Sequence, residues 1–292
     1  MIVNDWKRWY TQWDRSFSIG MLALGLVVVV CCELGWPLAV LSRPVIAILT
    51  VLWTTAGLTR LYRSVSGHTL ADRITTLRLG FGAAALILLA AGELFVAGEL
   101  LAAGERGAGI GNGSEAAGFS VAGVSGVAVT YRVVFTLFLV VAVLSDFLDG
   151  RIARRTVSSR FGEDWDMQND AAFAMILSVA AVVFVGVGSW VLLIGLARYL
   201  FVLTVPGSHD DVTTPRGYDL LGKTVCAVTV ISLAVVVAAG ETGAAASIAL
   251  ATSLLLLAVS FGWSIYLLHR GRASTAYLAA ETHASERVGT LD

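Results

Sequence analysis

The sequence predicts an all-α integral membrane protein with eight spans, and three observations carry that prediction. Of its 292 residues, 57% are hydrophobic and 14% charged, with a mean hydropathy of +0.80, whereas a soluble domain is roughly 25% charged. The apolar residues gather in long blocks with few charges, the pattern of bilayer-crossing helices. The basic residues are sorted too. If the N-terminus is cytoplasmic and eight spans follow, every Lys and Arg except Arg43, Arg106, Arg132 and Arg198 falls in a cytoplasmic segment, as the positive-inside rule requires.

In chain order the spans run from Phe17 to Leu34, Leu38 to Leu58, Leu77 to Ala103, Ala128 to Leu148, Asp170 to Val187, Trp190 to Val205, Tyr218 to Ala239 and Ala244 to Leu268. Most approach the ~20 residues that a bilayer core requires; the second and sixth are marginal. The second contains Arg43-Pro44, which offers Pro44 as a first helical residue. "GVGSW" between the fifth and sixth reads as a tight hairpin. The leader "MIVNDWKRWYTQWDRS" carries Asp5 and Asp14 and no small-residue cleavage site follows, so the first span reads as an uncleaved helix. Trp6, Trp9 and Trp13 are spaced as an interfacial belt. Cys31, Cys32 and Cys226 show no metal-ligand spacing and read as small apolar residues.

Both termini are expected in the cytoplasm. "GERGAGIGNGSEAAGFSVAGVSG" is a Gly-rich external loop, and the tail "RASTAYLAAETHASERVGTLD" is polar and expected to fray. Residues from about 61 to 76 mix basic and apolar side chains and read as a cytoplasmic interfacial helix. Glu93 and Arg132 lie toward the outer ends of their spans and read as structural or interface-seeking.

The stretch "SDFLDGRIARRTVSSRFGEDWDMQNDAAFAM", residues 145 to 175, carries the chemistry. On a helix Asp146, Asp149, Gly150, Ala153 and Arg154 share one face, and Gly162, Asp166 and Asp170 share another. A short connection makes the two helices antiparallel neighbours, so four carboxylates converge at a cytoplasmic hairpin end. They cannot crowd there without cations, and an all-oxygen cage selects hard ions such as Mg²⁺ or Mn²⁺. His68, His209, His269 and His283 lie outside the stretch. Gly150 and Ala153 leave room beside the carboxylates, and Arg154 suits a phosphate-linked group. Metals, Arg and a small-residue shelf together suggest a diphosphate substrate.

The pattern D-xx-D-G-xx-A-R, seven residues, then G-xxx-D-xxx-D, running from Asp146 to Asp170, resembles the signature of the CDP-alcohol phosphatidyltransferase family at all eight fixed positions. "T75-TL-R78" resembles a T-xx-R of the family, and Gly222-Lys223 its G-K, without the second Lys that often follows. The resemblance implies a six-helix core within residues 61–270, an additional N-terminal hairpin in residues 1–60, a polar tail from 271 to 292, and a homodimer. It implies that Asp146, Asp149, Asp166 and Asp170 hold the divalent ions, two of them, Mg²⁺ or Mn²⁺. Asp170 would be the general base that takes the acceptor's proton. Gly150, Ala153, Arg154, Gly162, Thr75 and Arg78 would bind the cytidine diphosphate part. The partners it implies are a CDP-linked donor, an alcohol acceptor and membrane lipids, with no nucleic acid. The reaction it implies releases CMP, at the cytoplasmic face of the cell membrane, in phospholipid biosynthesis. With the core complete in the later spans, the N-terminal hairpin is expected to be dispensable for chemistry.

Arg198, Arg216 and Lys223 form a candidate pocket for a polyol phosphate acceptor such as glycerol phosphate or inositol phosphate. Arg198 lies deep in its span and requires a water-filled cavity or a partner. "ARRTVSS..GE" also resembles the amino-alcohol branch, whose acceptor is diacylglycerol, although the spacing differs by one residue. A divalent-cation transporter is the alternative of another class. Gly150, Ala153, Arg154 and Gly162 argue against it, since a transport path does not require them, and no inverted repeat is visible.

Overall fold

The computed structural model describes residues 3–33, 39–64, 70–109, 129–145, 160–204 and 216–289. They are helical, with no strand among the described residues. The helices are α1 (Val3–Glu33), α2 (Ala39–Arg63), α3 (Leu70–Gly109), α4 (Val129–Ser145), α5 (Arg160–Ala180), α6 (Leu192–Thr204), α7 (Arg216–Ala239) and α8 (Ala244–Gly289). Six of them contain stretches long and apolar enough to cross a membrane, and α4 and α6 are shorter apolar helices. Many large apolar side chains point outward, among them Leu26, Leu52, Leu137, Val235, Ile248 and Val259. So much exposed hydrocarbon is a liability in water and is the natural surface toward lipid.

α5 is the central helix. Some 78% of its membrane-spanning window is buried, against 22–44% in the other five. Its sequence permits this, because Ala171, Ala172, Ala180 and Ala181 bring neighbouring backbones close while Phe173, Met175, Ile176 and Leu177 fill the gaps between them. α5 packs on α2, α3, α6 and α7. It ends in one π-helical turn (Ala181–Val185), and Gly186 then reverses the chain at φ +84°, its N–H donating to the Ala181 carbonyl at 3.1 Å. Only glycine takes that left-handed conformation without strain, so the "GVGSW" hairpin forms as its residues require. A single 3₁₀ turn (Ser189–Val191) leads into α6.

α1 and α2 pack less against each other than against the rest of the bundle: α1 lies mainly along α6, and α2 along α3 and α5. Phe17 of α1 meets the Tyr199 ring edge-on at 6.0 Å, and Tyr62 of α2 meets Trp165 at 5.2 Å. Trp13 is buried, stacked at 5.0 Å on Phe17, and so serves the core and not a lipid-facing belt. α2 begins at Ala39, with Pro44 inside it. As the sixth helical residue, Pro44 has no N–H to bond the Val40 carbonyl and its ring crowds that carbonyl, a local cost to the second turn that a first-turn proline would avoid. The stretch expected as an interfacial helix is divided between the end of α2 and the first turns of α3, with 65–69 outside the described residues. The tail expected to fray instead continues α8 to Gly289. It contains no Gly or Pro between Arg272 and Val288, and five of the fifteen residues between them are Ala, the strongest helix former.

Helices α5 and α6 pack tightly at Gly195, where an added Cβ would stand 2.7 Å from the Met175 Cα, a backbone atom that cannot swing aside. Gly195→Ala is therefore expected to destabilise the fold by about 1–3 kcal/mol. The measurement is thermal unfolding in detergent; an unchanged Tm would show that the helix pair can spread at no cost.

Candidate active site

The first turns of two helices, α3 and α5, bring the described site residues together. Near the start of α3, Thr75 and Arg78 lie one turn apart and both are buried. Near the start of α5, Gly162, Asp166 and Asp170 recur every four residues and share one face. The Trp165 indole N–H donates to the Asp72 carbonyl at 3.2 Å, which pins the first turns of α5 to those of α3. Arg78 then reaches both carboxylates. Its Nη2 lies 3.4 Å from Asp166 Oδ1 and forms a close ion pair with Asp170 Oδ1. The Arg78 side chain is 4% exposed, whereas those of Asp166 and Asp170 are 52% and 36% exposed. The carboxylates thus open outward while the guanidinium approaches them from within the bundle.

Of the residues the sequence singles out, Thr75, Arg78, Gly162, Asp166 and Asp170 come together at this end. Asp146, Asp149, Gly150, Ala153 and Arg154 lie outside the described residues. Lys223 is exposed in the second turn of α7, and Arg216 is that helix's first residue. Arg198 is engaged elsewhere: its Nη2 lies 3.5 Å from Asp14 Oδ2 of α1. Asp14 Oδ1 also accepts a hydrogen bond from Gln168 Nε2 of α5 at 2.7 Å, and Gln168 reaches the Tyr10 hydroxyl at 3.3 Å. Sequence reasoning missed Asp14 and Gln168. The available signal was the depth of Arg198, which demands a counter-charge, together with an Asp on the first apolar helix.

The family model for CDP-alcohol phosphatidyltransferase matches residues 116–269, just over half of the chain. The chain belongs to that family. No curated protein and no solved structure matches it. As a CDP-alcohol phosphatidyltransferase it is a multi-pass membrane transferase of phospholipid biosynthesis, moving a phosphatidyl group from a CDP-alcohol to an alcohol. Membership answers the transporter alternative. The matched segment contains α4 to α7 and α8 as far as residue 269, hence Asp166 and Asp170. It excludes α1, α2 and α3, hence Arg78 and Asp14.

The family generally depends on a divalent metal. Among the described residues no group of three metal-ligating side chains forms, but the donors that are described fit such an ion. Asp166 and Asp170 are half-open oxygen ligands one turn apart, and they already converge on a single cationic group. In Arg78→Met the two carboxylates would face each other without that cation. A fall in Tm equivalent to about 1–3 kcal/mol is expected in chelator, with Mg²⁺ recovering more of it than in the wild type because the ion binds only the folded state. An equal Mg²⁺ response in both proteins would separate these carboxylates from metal binding.

Proposed function

We propose that the chain transfers a phosphatidyl group from a CDP-linked lipid donor to an alcohol hydroxyl at the cytoplasmic membrane face. The observation that carries this reading is the convergence of Arg78 with Asp166 and Asp170 at one end of the bundle. Asp146, Asp149, Asp166 and Asp170 would hold Mg²⁺ or Mn²⁺, which when bound would supply charge neutralisation at the diphosphate. Asp170, beside Arg78, takes the proton of the acceptor hydroxyl. The freed oxygen attacks the β-phosphorus, the new O–P bond forms, the bridging P–O bond breaks, and CMP leaves with its electron pair. Gly150, Ala153, Arg154 and Gly162 cradle the nucleotide, with Thr75 and Arg78 facing the diphosphate from α3. The lipid tail of the donor lies between helices within the bilayer.

For the acceptor, a polyol phosphate such as glycerol phosphate or inositol phosphate suits Arg216 and Lys223 at the start of α7, a helix that packs on α5. Diacylglycerol is the second reading, and the Asp14–Arg198 pair favours it, because it neutralises one of the three cations an anionic acceptor would use. CMP release by the purified protein, with a CDP-linked lipid and Mg²⁺ or Mn²⁺, separates the two across glycerol phosphate, inositol phosphate, inositol and serine. A CDP-amino-alcohol with diacylglycerol tests the second reading. One acceptor should drive release, and Asp170→Asn should lower it by about 10²–10⁴-fold. A wild-type rate in Asp170→Asn would remove the base assignment.

A further inference from the structure

Gln168 lies between Asp166 and Asp170 in sequence but on the opposite side of α5, since two residues rotate a helix by about 200°. It is fully buried and bonded to Asp14 of α1. Asp14 is in turn the carboxylate that, among the described residues, neutralises Arg198 of α6. The side chains of Arg198 and Asp14 are 10% and 12% exposed, so neither charge is accommodated by solvent. The catalytic helix is therefore gripped from two sides. Arg78 of α3 draws on its carboxylate face, and the α1–α6 ion pair holds its opposite face. α1 is fastened at its far end as well, where Ser189 Oγ donates to Glu33 Oε1 at 2.6 Å. α1 belongs to neither the family-matched segment nor the signature.

We propose that Asp14 is a positioning residue of the transferase. With Gln168 and Arg198 it fixes the rotation of α5, and so the direction in which Asp166 and Asp170 face. This rests on the reading of those two aspartates as metal-holding and catalytic groups. It reverses the expectation that the N-terminal hairpin is dispensable, because removing α1 strands a buried guanidinium and a buried amide on the helices that carry the site. Orientation matters here because reacting groups about 1 Å out of place can cost 10²-fold in rate. Groups behind metal ligands typically change metal affinity by 10–100-fold.

The test compares full-length wild type, Gln168→Met, Asp14→Leu and the double variant Asp14→Leu/Arg198→Met in lipid nanodiscs. Three readouts are taken: Tm, CMP-release kinetics across the acceptor panel, and Mn²⁺ binding by electron paramagnetic resonance. Asp14→Leu should lose Tm, since it leaves Arg198 charged and unpaired. The double variant should regain most of that loss, because an apolar pair can replace a buried ion pair. The double variant and Gln168→Met should nonetheless remain about tenfold or more below wild type in kcat, with donor KM unchanged and Mn²⁺ bound about tenfold more weakly. Recovery of kcat and Mn²⁺ affinity together with Tm in the double variant, or wild-type values of both in Gln168→Met, overturns the proposal and leaves a merely structural pair. A rise in acceptor KM alone also overturns it, in favour of acceptor contact at Arg198. If the wild type binds Mn²⁺ but releases no CMP with any acceptor, the transfer reading fails, and the variants' Mn²⁺ affinities decide the positioning role alone. If it does neither, both readings fall.

Discussion

An apolar bundle must compensate every charge it takes in, and the helix with the least room to do so, α5, bears two of the four aspartates proposed to hold the metal. α5 is buried over most of its length yet bears Asp166 and Asp170 on one face and Gln168 on the other. An ion leaving water for a low-dielectric interior loses solvation that a neighbour must replace. Arg78 compensates the carboxylate face. On the opposite face the buried charge belongs to Arg198, which Asp14 compensates while accepting the Gln168 amide proton. The interhelical order at this end follows from that requirement: α3 and α1 are drawn to opposite sides of α5, and α6 lies where Arg198 can meet α1.

The same requirement explains why the N-terminal pair of helices is not a separate unit. A hairpin added to a complete core would pack chiefly on itself and present one apolar face inward. Here α1 lies along α6 and α2 along α3 and α5, and Phe17, Trp13 and Tyr62 all meet side chains of other helices or each other within the core. The far end needs no such network. There the turn at Gly186 is stabilised by its own backbone bonds, and the Ser189–Glu33 contact joins the helix ends.

Much of this was legible in the sequence because it is written in local pattern. Span positions follow from hydropathy, the α5–α6 turn from Gly186 and Gly188, and the shared face of Gly162, Asp166 and Asp170 from a four-residue period. Arg78 was singled out from the family resemblance but not as the partner of Asp166 and Asp170, because those pairings span 88 and 92 residues. Asp14 was illegible as the partner of Gln168 and Arg198 for the same reason. Its bond to Gln168 crosses 154 positions, and on its own helix it looked like leader charge. The burial of Arg198 announced that a partner existed but carried no information about which helix would supply it. The helical tail shows a different gap: polarity said exposed, which is not the same as unstructured, and propensity decided the matter.

The two polar systems differ in exposure, and that difference assigns them different work. Asp166 and Asp170 are 52% and 36% exposed, so water and ions can compete for them and their pairing with Arg78 can be exchanged. At an effective dielectric near 20, a contact at about 4 Å is worth a few kcal/mol before solvation is repaid, a sum that a divalent ion arriving at the same oxygens can match. The Asp14–Arg198 pair has no such competitor, since both side chains are nearly closed to solvent and opening the pair would strand both charges. One network can therefore change partners during a reaction cycle while the other holds its geometry. A helix proposed to carry catalysis inside a membrane needs both: a face whose ligands can be replaced, and a back that does not turn when they are.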